Sequence, residues 1–273
     1  MSHQHPIVDR RTELAIFLAL LDTSKTKSES ILLLKNESGQ GKSKLLQLYE
    51  SHCREKEIPV SRVDFKGGFL SPMDILRTIH TDFRPFFDLR RCNDILHQVV
   101  STPLPQITGN TGIGQTHYSF QTTYQMSGIS IEEQRIRWET AAQALIDDLF
   151  ELMKRGKQHF VILFDTFEQA SDETKKWLSN HILRMSTPQR INSLLVVVAG
   201  KEIPPNHGEW EHCCKTVYLE SLRLEDWVEY AELVVGSIPR EYVERIYAHH
   251  KHSPLEMANV INSLAPAGDT INA

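Results

Sequence analysis

The sequence predicts an α/β fold: a mostly parallel central sheet flanked by helices, followed by a small helical subdomain. Three observations carry this. The apolar run 31–34 (ILLL) leads through NESGQGKS at 36–43 into a helical pattern. The runs 160–164 (FVILF) and 193–199 (SLLVVVA) are continuously apolar, as in strands covered on both faces. Helical patterns separate these runs, and alternating strands and helices build a parallel sheet.

The elements follow in order. Residues 11–22 (RTELAIFLALLD) place apolar side chains at helical spacing. Residues 31–35 form a strand and 42–55 a helix of mixed polarity. Residues 59–65 (PVSRVDF) look like a second strand. Residues 72–100 read as one or two helices, with Pro85 as a break. The stretch 101–130 is rich in Thr, Ser, Gly and Gln and nearly uncharged; it is too long for an ordinary connection. It reads as an inserted tongue, either a projecting hairpin or disordered. Its glycines Gly109, Gly112 and Gly114 follow no buried strand and are turn residues. Residues 131–154 form a long amphipathic helix, 159–164 a strand, 172–185 a helix, 193–199 a strand and 215–219 a shorter strand. From 223 onward the pattern is helical, with breaks near 236–237 and 253–254. The chain therefore divides into a domain at 1–221 and a helical lid at 222–273.

Composition narrows the function classes. The 273 residues are 40% hydrophobic and 24% charged, as in soluble globular proteins. The formal net charge of −5 argues against a nucleic-acid protein held by a basic face. No apolar stretch reaches the roughly 18 residues of a membrane span, and the N-terminus lacks the apolar core of a signal peptide. A cytoplasmic protein is expected. Cys53, Cys92, Cys213 and Cys214 suggest no disulfide framework. His207, His212, Cys213 and Cys214 lack the spacing of a metal site.

The chemistry concentrates after the apolar runs. A phosphate-binding loop reads G-x-x-x-x-G-K-[ST] between a strand and a helix. NESGQGKS matches it except for the first glycine, where Asn36 stands. Asn tolerates left-handed backbone better than other non-glycine residues, so Asn36 is expected to keep the turn. The amides of Asn36, Glu37, Ser38, Gly39, Gln40, Gly41, Lys42, Ser43 and Lys44 would surround phosphates. Lys42 supplies a positive charge for the β and γ oxygens, and the Ser43 hydroxyl a ligand for Mg²⁺. The helix beginning at 42 aims its N-terminus at the anion. These residues predict a P-loop NTPase binding ATP or ADP with Mg²⁺.

Such a site needs a second acidic residue at the end of a buried strand. Asp165 follows FVILF and is the expected Mg²⁺ partner of Ser43. Glu168 is either a water-polarising carboxylate or a first-turn helix residue favoured by the dipole. Lys201, at the end of SLLVVVAGKE, would reach the same rim and sense the γ-phosphate. Lys42, Asp165, Glu168 and Lys201 are thus the catalytic candidates. No N-K-x-D segment follows the acidic strand, so guanine specificity is not expected. Arg184 and Arg190 could reach a neighbouring subunit's nucleotide.

The strand–loop–helix at 31–48, the acidic strand ending DTFE and the VVVAGKE strand resemble AAA-like ATPases of the STAND class (signal transduction ATPases with numerous domains). IVDRRTEL at 7–14 is similar to that class's N-terminal motif, of the form FVGRExEL. VYLESLRLEDWVEYAE at 217–232 and HHKHSPLEMANVI at 249–261 resemble its lid segments. The resemblance covers about 7–265 apart from the tongue. It implies that Val8, Arg10 and Pro254 border the nucleotide base. Asp9 and Arg11 replace that motif's Gly and Glu, Thr166 stands where many members have a second acid, and Lys201 where Arg is usual. His252-Ser253-Pro254 replaces the lid's Gly-x-Pro. The resemblance implies slow or conditional ATP hydrolysis driving a conformational or assembly switch, with self-association on ATP binding and an effector carried by a partner chain. Two alternatives stand beside it: a non-catalytic scaffold binding a partner through the tongue, and a DNA-linked AAA ATPase, which the acidic balance disfavours.

Overall fold

A computed structural model of the chain describes residues 10–22, 29–68, 70–100, 130–155, 159–187, 191, 193–205, 209–251 and 253–265. Val8, Arg190 and residues 101–129 of the tongue lie outside them.

Five strands form one sheet: β1 (Ile31–Lys35), β2 (Val60–Asp64), β3 (Phe160–Asp165), β4 (Leu194–Gly200) and β5 (Cys214–Tyr218). Their order is β2-β3-β4-β1-β5, and every pair is parallel. Every residue of β3 and β4 is buried, as continuous apolar runs require. Each of these strands extends one residue beyond the apolar run, so Asp165 and Gly200 are the last residues of their strands.

The pleat sends alternate residues to opposite faces. Leu32, Leu34, Val161, Leu163, Val197 and Ala199 pack under α1 (Arg11–Leu21) and α2 (Lys42–Glu55). There Phe17 and Tyr49 stack with centroids 4.0 Å apart. Ile31, Leu33, Ile162, Phe164, Val196 and Val198 face the other layer, formed by α3 (Pro72–Phe83), α4 (Arg90–Val100) and α5 (Ile131–Arg155). Ser71 and Asp74 close a capping box at the start of α3, with Pro72 following the cap. The expectation of one or two helices at 72–100 resolves into two, separated around Pro85.

The predicted helix at 172–185 is more irregular than its spacing suggested. A short α6 (Asp172–Trp177) passes into a π-helical turn at Leu178–Leu183. The C-terminal helices α7 (Leu224–Val235), α8 (Arg240–His250) and α9 (Pro254–Ser263) enclose their own apolar cluster around Trp227, Tyr230, Val243, Met257 and Ile261. No helix among the described residues is long and apolar enough to cross a membrane.

Candidate functional site

The parallel order delivers the ends of β1, β3 and β4 to one rim, where open α/β sheets bind ligands. The loop 36–41 leaves β1 there and enters α2. Gly39 and Gly41 sit at φ 81° and 88°, a region that disfavours any side chain. Gly41 is the N-cap of α2.

Asn36 differs from the sequence expectation. The non-glycine residues at positive φ among those described are Glu57 and Thr166, so Asn36 does not turn the loop through left-handed geometry. It acts through its side chain instead. Nδ2 donates to the Leu219 carbonyl at 2.7 Å, and Oδ1 accepts from the Glu37 amide at 3.0 Å. A glycine could make neither bond. The loop is thereby fastened to the segment leaving β5.

Arg10 makes a second fastening. It is 7% exposed, and its guanidinium donates to the Glu220 carbonyl at 2.8 Å, the Gln40 carbonyl at 3.0 Å and Glu13 Oε1 at 3.0 Å. Pro254 is buried as the first residue of α9. Beside it, Leu255 Cβ lies 3.9 Å from where a Cβ on Gly39 would stand, so the C-terminal helices abut the loop.

Lys42 is buried, and its ammonium donates to the carbonyls of Asn36 at 2.6 Å and Glu37 at 2.8 Å. The cation is thus held inside the curve of the loop. Burial pushes its pKa below the usual lysine range, while Glu168, Asp165 and Glu37 oppose that shift. Ser43 Oγ donates to Asp165 Oδ1 at 3.1 Å. The two residues expected to share a metal are therefore neighbours. Lys44 and Ser38 are exposed on the same loop and first turn.

Asp165 has a further partner that the sequence reading missed. Arg62 on β2 donates to its Oδ2 at 2.7 Å. PVSRVDF reads simply as a strand; the pairing of β2 with β3 sets Arg62 beside the acidic residue. Nothing within β2 itself names that partner, because strand order sets it.

The rim beyond Asp165 is tightly built. Thr166 has φ 59° and ψ 41°, costly for a β-branched residue, and its hydroxyl donates to Asp64 Oδ1 at 2.9 Å. Thr166 precedes a 3₁₀ turn, Phe167–Gln169, that carries Glu168. Glu168 Oε2 accepts the backbone amide of Lys201 at 2.9 Å. A side chain on Gly200 would collide with that carboxylate, at 2.8 Å, and with the Glu202 carbonyl, at 2.3 Å. Lys201 Nζ pairs with Glu37 Oε2 at 3.0 Å, which raises its pKa. Lys42, Ser43, Asp165, Glu168 and Lys201 thus converge on the loop. Arg184 does not join them; it forms a paired contact with Glu209, both bonds at 2.9 Å.

No protein-family model and no curated protein sequence matches the chain. Among solved structures, the chain is similar over 93% of its length to a STAND protein with a tetratricopeptide repeat sensor from Pyrococcus horikoshii, at TM-score 0.53 and 14% identity. It is similar over 90% of its length to Cdc6p from Pyrobaculum aerophilum, at TM-score 0.51 and 12% identity. The chain spans 30% of the first protein and 56% of the second. The chain thus shares its fold with a signal transduction ATPase with numerous domains and with Cdc6p.

Proposed function

We propose that the chain binds ATP and ADP at the 36–43 loop, hydrolyses ATP slowly or conditionally, and acts as a nucleotide-driven conformational or assembly switch. The observation that carries this is the grouping at the rim: a buried Lys42 inside a glycine-turned loop, with Ser43 bonded to Asp165.

In this reading an arriving phosphate takes over the Lys42 ammonium from the carbonyls of Asn36 and Glu37. The loop amides and the N-terminus of α2 face the same anion. Ser43 and Asp165 fit Mg²⁺: a hydroxyl oxygen and a carboxylate oxygen, the hard ligands this ion takes, stand 3.1 Å apart. Mg²⁺, when bound, neutralises charge on the β and γ oxygens. Glu168 would orient or deprotonate the attacking water, and Lys201 would answer the γ-phosphate. Both are engaged, Glu168 with the Lys201 amide and Lys201 with Glu37. Hydrolysis therefore waits on their release, which is what makes it slow and open to control. Pro254 and Arg10 lie on segments that meet the loop, so base binding would couple to the C-terminal helices. Self-association on ATP binding and an effector on another chain belong to the same proposal.

A second reading is a nucleotide-bound scaffold without turnover. The observation that favours it is Thr166, which points its hydroxyl at Asp64 where a second acid would serve catalysis.

The test is binding and turnover of Mg-ATP and Mg-ADP over a range of protein concentrations. The switch predicts saturable binding and a specific activity that rises with concentration. Binding with no turnover under any condition supports the scaffold, and no binding refutes both readings.

A further inference from the structure

Asp165 is 1% exposed, and both of its oxygens are engaged: Oδ1 with Ser43 Oγ at 3.1 Å and Oδ2 with Arg62 at 2.7 Å. Arg62 is itself held. Its other terminal nitrogen stands 3.6 Å from Glu50 Oε2 on α2, and its side chain is 17% exposed. A permanent cation, planar and unable to lose its proton, is therefore fixed on the carboxylate that would face a divalent metal. The phosphate-loop motif asks for no arginine at this place.

We propose that Arg62 is a built-in counter-cation that sets how strongly this nucleotide site depends on its metal. Arg62 balances the charge of Asp165 and holds its carboxylate in place before any metal arrives. It also occupies the oxygen that the metal's shell would otherwise use, and its charge repels a divalent cation. Nucleotide binding should then need the metal only weakly, while metal affinity stays low until nucleotide phosphates add their own charge. The inference rests on the proposed nucleotide site, because it takes Ser43 and Asp165 as the metal's side of that site. A brace that merely joined β2 to β3 would alter stability without touching metal affinity.

The test uses the whole chain with ADP, and Mn²⁺ as a spectroscopic substitute for Mg²⁺. Free Mn²⁺ is followed by electron paramagnetic resonance, and ADP affinity is measured with Mn²⁺ and with a chelator. For the wild type, ADP affinity is expected to fall less than about 10-fold on chelation. In Arg62→Gln, Mn²⁺ affinity of the ADP complex is expected to rise about 10-fold or more, because an adjacent full charge shifts ionic equilibria by roughly one to three powers of ten. Arg62→Lys, which keeps the charge, should stay near the wild type. Removing Arg62 leaves a buried carboxylate unpaired, so the variant's fold is checked by circular dichroism. If Arg62→Gln does not fold, the wild-type chelation ratio decides: loss of all ADP binding without metal overturns the proposal. Equal Mn²⁺ affinity in a folded Arg62→Gln and the wild type overturns it as well. Absence of ADP binding by the wild type with Mn²⁺ present overturns the nucleotide-site reading beneath it, a result distinguishable from either of the others.

Discussion

The rim has two sides. On the β1 side, the loop, Lys42 and Ser43 form a receptor whose shape is set by bonds from distant segments: Asn36 to Leu219, and Arg10 to Gln40 and Glu220. Its cation sits on weak carbonyl partners that a phosphate can replace. On the β3–β4 side, Thr166, Glu168 and Lys201 are each committed to another group of the chain. In the proposed reading the first side receives an anion, and the second must let go of something before it can act. The difference teaches that binding and hydrolysis can be separated in one site: preorganised cations and amides favour binding, while a base that is already bonded delays chemistry.

Substitutions can sharpen or break this contrast. The largest effect is expected from Lys42→Ala, which removes the charge that meets the phosphates. ATP affinity should fall about 100-fold or more in calorimetric titration, the scale of a lost charge-assisted contact. Glu168→Gln should leave ATP affinity within about 3-fold and lower turnover by about 100-fold, the scale of a lost general base. Equal losses of binding and turnover would erase the division between the sides. Asn36→Gly restores the motif's first glycine, yet it should destabilise the fold by about 1 kcal/mol in urea unfolding, through two lost side-chain bonds and added chain entropy. It should not improve ATP affinity. The smallest effect is expected from Thr166→Asn, which suits left-handed geometry and can still reach Asp64. It should stabilise the fold by up to about 1 kcal/mol.

The sheet was readable because its signal is local. Runs such as FVILF and LLVVVA suit strands buried on both faces, and the glycines of NESGQGKS announce their own turns. Asp165 directly follows such a run, and Lys42 and Ser43 end the glycine motif, so the meeting of Ser43 and Asp165, at 3.1 Å, could be expected from local sequence. Other parts depended on partners far away in the chain. Asn36 was assigned a backbone role because its true partner, Leu219, lies 183 residues on. Arg62 was given no role because strand order, which brings it to Asp165, is invisible within β2 itself. The π-helical turn at Leu178–Leu183 leaves no mark in helical periodicity, since one altered turn shifts the apolar stripe only slightly.

The most direct test of a ready receptor beside a restrained hydrolytic side is a single-turnover experiment. Excess protein is mixed with radiolabelled ATP and Mg²⁺, separated from free nucleotide, and quenched over time. The account predicts that nucleotide stays with the protein and is recovered mainly as ATP over minutes at low protein concentration, with faster conversion to ADP as concentration rises. Conversion at about 10 s⁻¹, the median for enzymes, at every concentration would contradict the restraint. Failure to retain any nucleotide would contradict the receptor itself.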